Sequence, residues 1–263
     1  VRLLSKVIAI ANQKGGVGKT TTAVNLSSCL AYKGKKVLVI DIDPQGNTTS
    51  GLGVDKKNIS RSIYEVLIND ENIEDALSDT AIESLKLCPS NIQLAGAEVE
   101  LVNVISRETR MKAAISDIRE KFDFVIIDCP PSLGLLTINS LTAANTILVP
   151  IQCEYYALEG LSQLMNTVKL VQKHLNPLLD VEGVVLTMFD ARTNLSIQVV
   201  EEVKKYFKNK VYRTIIPRNV RLSEAPSFGM PIILYDPKSK GSECYLELAE
   251  EVIQYSEEVK AHE

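Results

Sequence analysis

The stretch NQKGGVGKTT, residues 12–21, sets the reading of this chain. It follows the Val/Ile-rich run KVIAIAN (6–12) and opens a helical pattern over about 19–33, which Gly34 stops. A strand therefore feeds a glycine-rich turn that feeds a helix, the context that makes G-x-x-x-x-G-K-[ST] a credible phosphate-binding loop rather than a ligand-free turn. The pattern is broken in two places. Gln13 stands where the first glycine belongs, and a second lysine, Lys14, sits five residues ahead of Lys19. Gly15, Gly16 and Gly18 let backbone N–H groups turn inward on phosphate oxygens, and the helix N-terminus adds positive potential. Lys19 is placed to reach the β- and γ-phosphates and the Thr20 hydroxyl to ligate Mg2+.

Beyond the loop, short apolar runs alternate with longer helical patterns. KVLVID (36–41), FDFVIID (122–128), TILVPIQ (146–152), GVVLTMF (183–189) and RTIIP (213–217) are nearly continuous in Val and Ile, with LKLCPS (85–90) as a further candidate. Continuous apolar runs fit strands buried on both faces, as in a parallel sheet. Helices are expected over about 158–175, 195–207 with Asn194 as N-cap, and 242–259. These elements predict an α/β fold, a doubly wound and mostly parallel sheet flanked by helices, in one domain spanning 1–263. At 263 residues and 45% hydrophobic, the chain can bury a sizeable core. The five cysteines, Cys29, Cys88, Cys129, Cys153 and Cys244, are odd in number and never spaced C-x-x-C, which points to reduced thiols in a cytoplasmic protein. No apolar run approaches a membrane span, and a net charge of −4 argues against a protein basic throughout.

Two acidic motifs follow two of the strands, at the carboxyl ends where ligands bind in such folds. In DIDPQGN (41–47), Asp41 ends a strand and Asp43 lies just beyond it. Two carboxylates beside a phosphate site suggest metal and water handling, with Asp43-Pro44 turn chemistry as the alternative. In FVIIDCPPS, four apolar residues end in Asp128, the form of a Walker-B strand whose carboxylate holds a Mg2+ water.

KGGVGKTT resembles the deviant Walker A motif of the ParA/MinD superfamily of P-loop ATPases. DIDPQGN, VIIDCPPSLGLLTINSL, QCEYYALEGL, DARTNLS and IPRNVRLSEAPSFGMPI are similar to its chromosomal ParA (Soj) branch, over essentially the whole chain. The resemblance implies a P-loop NTPase that binds ATP and Mg2+ through Lys14, Gly15, Gly16, Val17, Gly18, Lys19, Thr20 and Thr21. It implies that Lys14 crosses an ATP-bound dimer interface to the partner's phosphates, that Lys19 and Thr20 are the ordinary Walker A lysine and metal ligand, and that Asp43 positions the attacking water. Asp128 is then the Walker B acid, with Asp128 and Asp43 reaching the metal through water, and Pro217 and Asn219 fall where the adenine is held. Slow, partner-stimulated hydrolysis, an ATP-bound homodimer, and a ParB-like centromere-binding partner in chromosome or plasmid segregation follow from the same resemblance.

From Arg192 to Arg221, eight basic residues face two glutamates, a local net of +6 in an acidic chain. With no sequence-reading motif, this predicts non-specific binding to double-stranded DNA and a nucleoid-associated protein, although a solvated lysine-rich helix face explains part of the charge. Arg192 and Arg221 match the arginines that resembling ParA proteins use on DNA. The first strand begins by about Lys6, so an operator-reading N-terminal extension of the plasmid type is not expected. The tail ECYLELAEEVIQYSEEVKAHE carries seven Glu against one Lys, which disfavours the basic amphipathic membrane helix of MinD-like relatives and favours a packed terminal helix. A MinD-like positioning ATPase is the nearest alternative, and a dethiobiotin-synthetase-like ligase a more distant one. An iron–sulfur role like that of nitrogenase iron protein needs two bridging cysteines per chain, and Cys129 and Cys153 make no convincing pair.

Overall fold

A computed structural model describes residues 5–154 and 160–262. Eight strands, β1 (Lys6–Ile10), β2 (Val37–Asp41), β3 (Ser78–Asp79), β4 (Leu85–Cys88), β5 (Phe124–Asp128), β6 (Thr146–Gln152), β7 (Asp180–Phe189) and β8 (Val211–Pro217), form one sheet. Their order is β3-β4-β2-β5-β1-β6-β7-β8, and every pairing is parallel except the short edge pair of β3 with β4. The helices are α1 (Lys19–Tyr32), α2 (Asn47–Gly51), α3 (Ile63–Ile68), α4 (Leu94–Leu101), α5 (Arg110–Ser116), α6 (Leu135–Ala143), α7 (Leu161–His174), α8 (Asn194–Phe207), α9 (Val220–Glu224), α10 (Ile232–Tyr235) and α11 (Lys240–His262).

Successive side chains of a strand point to opposite faces, so each continuous apolar run divides between two cores. Val7, Ala9, Leu38, Ile40, Val125 and Ile127 pack on one face against α3 to α8. Ile8, Ile10, Val37, Val39, Phe124 and Ile126 pack on the other against α1, α10 and α11. The doubly wound, mostly parallel sheet expected from the sequence is the observed architecture. At the outer edge β8 alternates instead, with Tyr212 and Ile216 buried and Arg213 exposed, because only one of its faces is fully covered.

Several expectations change. β7 begins at Asp180 rather than Gly183, and β8 at Val211 rather than Arg213. The N-cap of α8 is Thr193, not Asn194: Thr193 has extended backbone angles and its hydroxyl accepts from the Ser196 N–H, while Asn194 is already helical. The expected start of the helix over 158–175 and the Tyr155–Tyr156 part of QCEYYALEGL lie outside the described residues. The terminal helix does pack: Tyr245, Leu248, Ala249 and Val252 of α11 are fully buried, and the Tyr245 hydroxyl meets the Thr22 hydroxyl of α1 at 3.1 Å. No helix of the described residues is long and apolar enough to cross a membrane.

Candidate active site

The carboxyl ends of β1, β2 and β5 lie side by side, in the register Ile10, Asp128, Asp41. Residues 11–18 leave β1 and turn into α1, with Gly16 at φ 76° and Gly18 at φ 91°, left-handed values that only glycine adopts readily. A Cβ at Gly15 or Gly16 would meet no heavy atom within 4 Å, so this stretch presents bare backbone to an open space. The loop is pinned from both ends. Asn12 Nδ2 donates to the Pro150 carbonyl on β6 (2.7 Å) while Asn12 Oδ1 accepts from the Lys14 N–H (3.0 Å). On the far side the Thr187 hydroxyl of β7 donates to the Val17 carbonyl (2.8 Å).

The two lysines are held differently. Lys19 is 7% exposed and its ammonium donates to the Lys14 carbonyl at 3.0 Å. Burial draws its pKa down, opposed by the negative charges of Asp128 and Asp43 and by Cys129. A buried ammonium with one neutral acceptor has unused donors. The Lys14 side chain is 33% exposed, and its ammonium lies 3.9 Å from a Glu154 carboxylate oxygen just beyond β6.

The carboxylates divide their work. Asp128 Oδ2 accepts from both the Thr20 hydroxyl (2.9 Å) and the Thr48 hydroxyl of α2 (2.7 Å), whereas its Oδ1 is buried with no partner among the described residues. Burial, then the neighbouring Asp41 charge, push Asp128 up to about 7. Burial likewise raises Asp41 to about 6, against the hydrogen bonds from the Thr49 hydroxyl (2.7 Å), the Thr49 N–H (2.8 Å) and the Asp43 N–H (3.2 Å). Asp41 therefore anchors the start of α2 to the sheet. Asp43 shows both readings at once. Its Oδ1 accepts the Gln45 N–H (2.9 Å) in an Asx-type turn, yet it also bears on the charges of Lys19 and Asp128.

These residues fit a magnesium nucleotide. The described residues contain no group of three or more His, Cys, Asp or Glu able to hold a metal. Mg2+ at a phosphate loop needs only one or two protein oxygens, since phosphates and water complete its octahedron. Thr20 Oγ1 suits such a place, and the unpartnered Asp128 Oδ1 suits a water of the same shell. All five cysteines, including Cys129 and Cys153, are free and buried.

The remaining candidates lie on other elements, and Arg218, between Pro217 and Asn219, reaches the same Glu154 carboxylate as Lys14 (3.8 Å). Pro217 pairs with Phe189 at the ends of β8 and β7, and Asn219 caps α9 through Oδ1, which accepts the Leu222 N–H at 3.3 Å. Arg192 forks onto Asp190 with contacts of 2.8 and 2.6 Å and holds that carboxyl down at about 2. Arg221 pairs with Glu224 (2.9 Å) and Asp236 (3.4 Å). The +6 read over 192–221 is thus partly a matter of where the window ends: extended to 190–236 it takes in three carboxylates and no further base, leaving +3. Sequence reasoning missed Asn12, Thr48 and Thr187 as site residues. Only Asn12 and Thr48 lay within or beside a motif that could have flagged them.

Fold and site together define a P-loop ATPase of the deviant Walker A kind. A family model described as an AAA domain matches residues 5–181. The chain is 65% identical over 95% of its length to the sporulation initiation inhibitor protein Soj of Bacillus subtilis (strain 168), covering 98% of that protein. It is 56% identical over 95% of its length to the chromosome partitioning protein ParA of Myxococcus xanthus (strain DK1622), covering 88%. Among solved structures, cobyrinic acid a,c-diamide synthase from Mycobacterium smegmatis with bound ADP and magnesium superposes with a TM-score of 0.85 at 40% identity, over 96% of this chain and 95% of that one. The chain belongs to the ParA/MinD superfamily, in its chromosomal ParA (Soj) branch.

Proposed function

We propose that this chain is a nucleotide-controlled ATPase switch of chromosome or plasmid segregation, one ATPase domain that hydrolyses ATP with Mg2+, dimerises in its ATP form and binds DNA without sequence preference. ATP supplies the transferable phosphoryl group and Mg2+ neutralises the charge developing on it. The backbone of residues 14–18, Val17 among them, holds the phosphates, with Thr21 beside them in the first turn of α1. Lys19 turns its spare donors to them, Thr20 holds the metal, and Asp128 and Asp43 reach it through water. Asp43 orients the attacking water, while Pro217 and Asn219 border the adenine.

The observation that carries this reading is the contrast between the lysines. Lys19 is folded into its own loop, while Lys14 is partly exposed on the same loop and, among the described residues, pairs only loosely with a half-exposed glutamate. A lysine so placed is available to a second copy, which makes the site complete only in the pair and joins nucleotide state to oligomeric state. In that pair Arg192 and Arg221 contact DNA phosphates, the protein gathers on the nucleoid, and a ParB-like centromere-binding partner stimulates hydrolysis. The relatives named Soj and ParA support the segregation role.

The test is Asp43→Ala with ATP and Mg2+. With water positioning lost but the phosphate loop intact, the variant should persist as a DNA-bound dimer that releases no phosphate. A variant that remains monomeric, or fails to bind DNA, would overturn the switch.

A further inference from the structure

The phosphate loop is shaped by a residue 170 positions away in the chain. The Thr187 side chain, on β7 and 2% exposed, sends its hydroxyl proton to the Val17 carbonyl at 2.8 Å. Its methyl carbon would lie 3.6 Å from a Cβ at Gly18, so it also fills the space beside the left-handed residue that caps α1. Its own backbone is held in turn, since the Thr187 carbonyl accepts the Cys153 N–H at 3.0 Å. The next residue, Met188, has φ 51°, an unfavourable left-handed angle for a side chain of that size. This lies where the register of β7 against β8 shifts between Leu186 and Phe189. Strain of this kind persists where the surroundings over-determine a conformation, and it clusters at functional sites.

A trans peptide is planar, so the carbonyl of one residue and the N–H of the next point in opposite directions. All described peptide bonds are trans. Whatever fixes the Val17 carbonyl therefore aims the Gly18 N–H away from β7. We infer that Thr187 is a positioning residue for ATP hydrolysis: by anchoring the Val17 carbonyl it aims the Gly18 N–H at the bound phosphates. The inference rests on reading residues 12–20 as a phosphate loop, and it gives β7, which carries no nucleotide-binding motif, a direct part in nucleotide affinity.

Two substitutions separate aim from packing. Thr187→Val keeps the branched shape but leaves the Val17 carbonyl buried without its donor, whereas Thr187→Ser keeps the donor and loses the methyl. Affinity for ADP with Mg2+ is measured by titration calorimetry on the full chain, alongside the thermal midpoint of each nucleotide-free protein. Thr187→Val should bind about tenfold more weakly than wild type, the size expected when the Gly18 N–H no longer donates well to a phosphate oxygen. Thr187→Ser should restore binding to within about twofold of wild type, which is under half a decade in affinity. A threonine that serves only the fold would lower the midpoint in Thr187→Val and leave its affinity unchanged, and that result would overturn the inference. So would a serine variant that binds tenfold or more weakly than wild type, a comparison that stands even if Thr187→Val does not fold. Failure of wild type itself to bind ADP with Mg2+ would overturn the phosphate-loop reading, and the role of Thr187 with it.

Discussion

Asp128 and Asp41 end adjacent strands in register, and neither has a cation bonded to it in the described structure. Each is raised above the ordinary carboxylate range, first by burial and then by the charge beside it. A raised carboxyl binds more protons folded than unfolded. Its contribution is therefore favourable at low pH and is lost as pH rises through the window from about 4, the unfolded value, to the folded values of about 6 and 7. The nucleotide-free protein should lose thermal stability across that window as pH increases. Asp128→Asn should flatten the dependence, and melting curves between about pH 5 and 7.5 check both. Thr48 belongs to the same cluster, because its hydroxyl shares Asp128 Oδ2 with Thr20 and so ties α2 to the carboxylate proposed to reach the metal. Thr48→Val should lower Mg2+-dependent nucleotide affinity several-fold, in line with the removal of one charge-assisted hydrogen bond, and a Mg2+ titration of ADP binding would show it.

Helix α8 offers a direct check on how an element begins. Thr193→Ala removes the hydroxyl that accepts the Ser196 N–H and should cost about 1 kcal/mol in denaturant unfolding, while Asn194→Ala, one residue inside the helix, should cost clearly less. Why the sequence suggested Asn194 is plain: Asn and Thr are both good caps, and their order cannot be settled without the backbone angles. Other elements show the same division. β1, β2 and β5 were legible because burial on both faces demands unbroken Val and Ile. The helices α2, α3, α4 and α5 are five to eight residues long, too short for a 3.6-residue pattern to repeat convincingly. α6 escaped for a different reason: seven of its nine residues are buried, polar Thr137, Asn139, Ser140 and Thr142 among them, so polarity does not mark an exposed face. Lys14, Lys19, Thr20, Asp43 and Asp128 were legible because each sits in a motif beside a strand end. Thr187 was not, since its contact with Val17 is a tertiary one that no local spacing encodes, and Thr48, though it directly follows DIDPQGN, meets Asp128 only in the folded chain.

For the molecule as a whole, surface charge was the least legible property. The basic window excluded the carboxylates that pair with Arg192 and Arg221. Exposed pairs of this kind are weak and give way to phosphate when the gain is larger. Arg192→Ala and Arg221→Ala should therefore each weaken DNA binding of the ATP form equally on unrelated sequences. Each should also reduce the slope of log affinity against log salt by about 0.9 for every phosphate left without its arginine. Asp190→Asn, which frees Arg192, should strengthen binding, and fluorescence anisotropy over a salt series reads all three. On the proposed reading, DNA binding of this kind depends in turn on the pairing of two copies through Lys14. The most direct measurement is the solution mass, by analytical ultracentrifugation with ATP and Mg2+, of Asp43→Ala beside the double variant Asp43→Ala/Lys14→Ala. The single variant should sediment as a dimer and the double variant as a monomer that still binds ATP. A double variant that dimerises as tightly as the single one would show that Lys14 does not serve the neighbouring site.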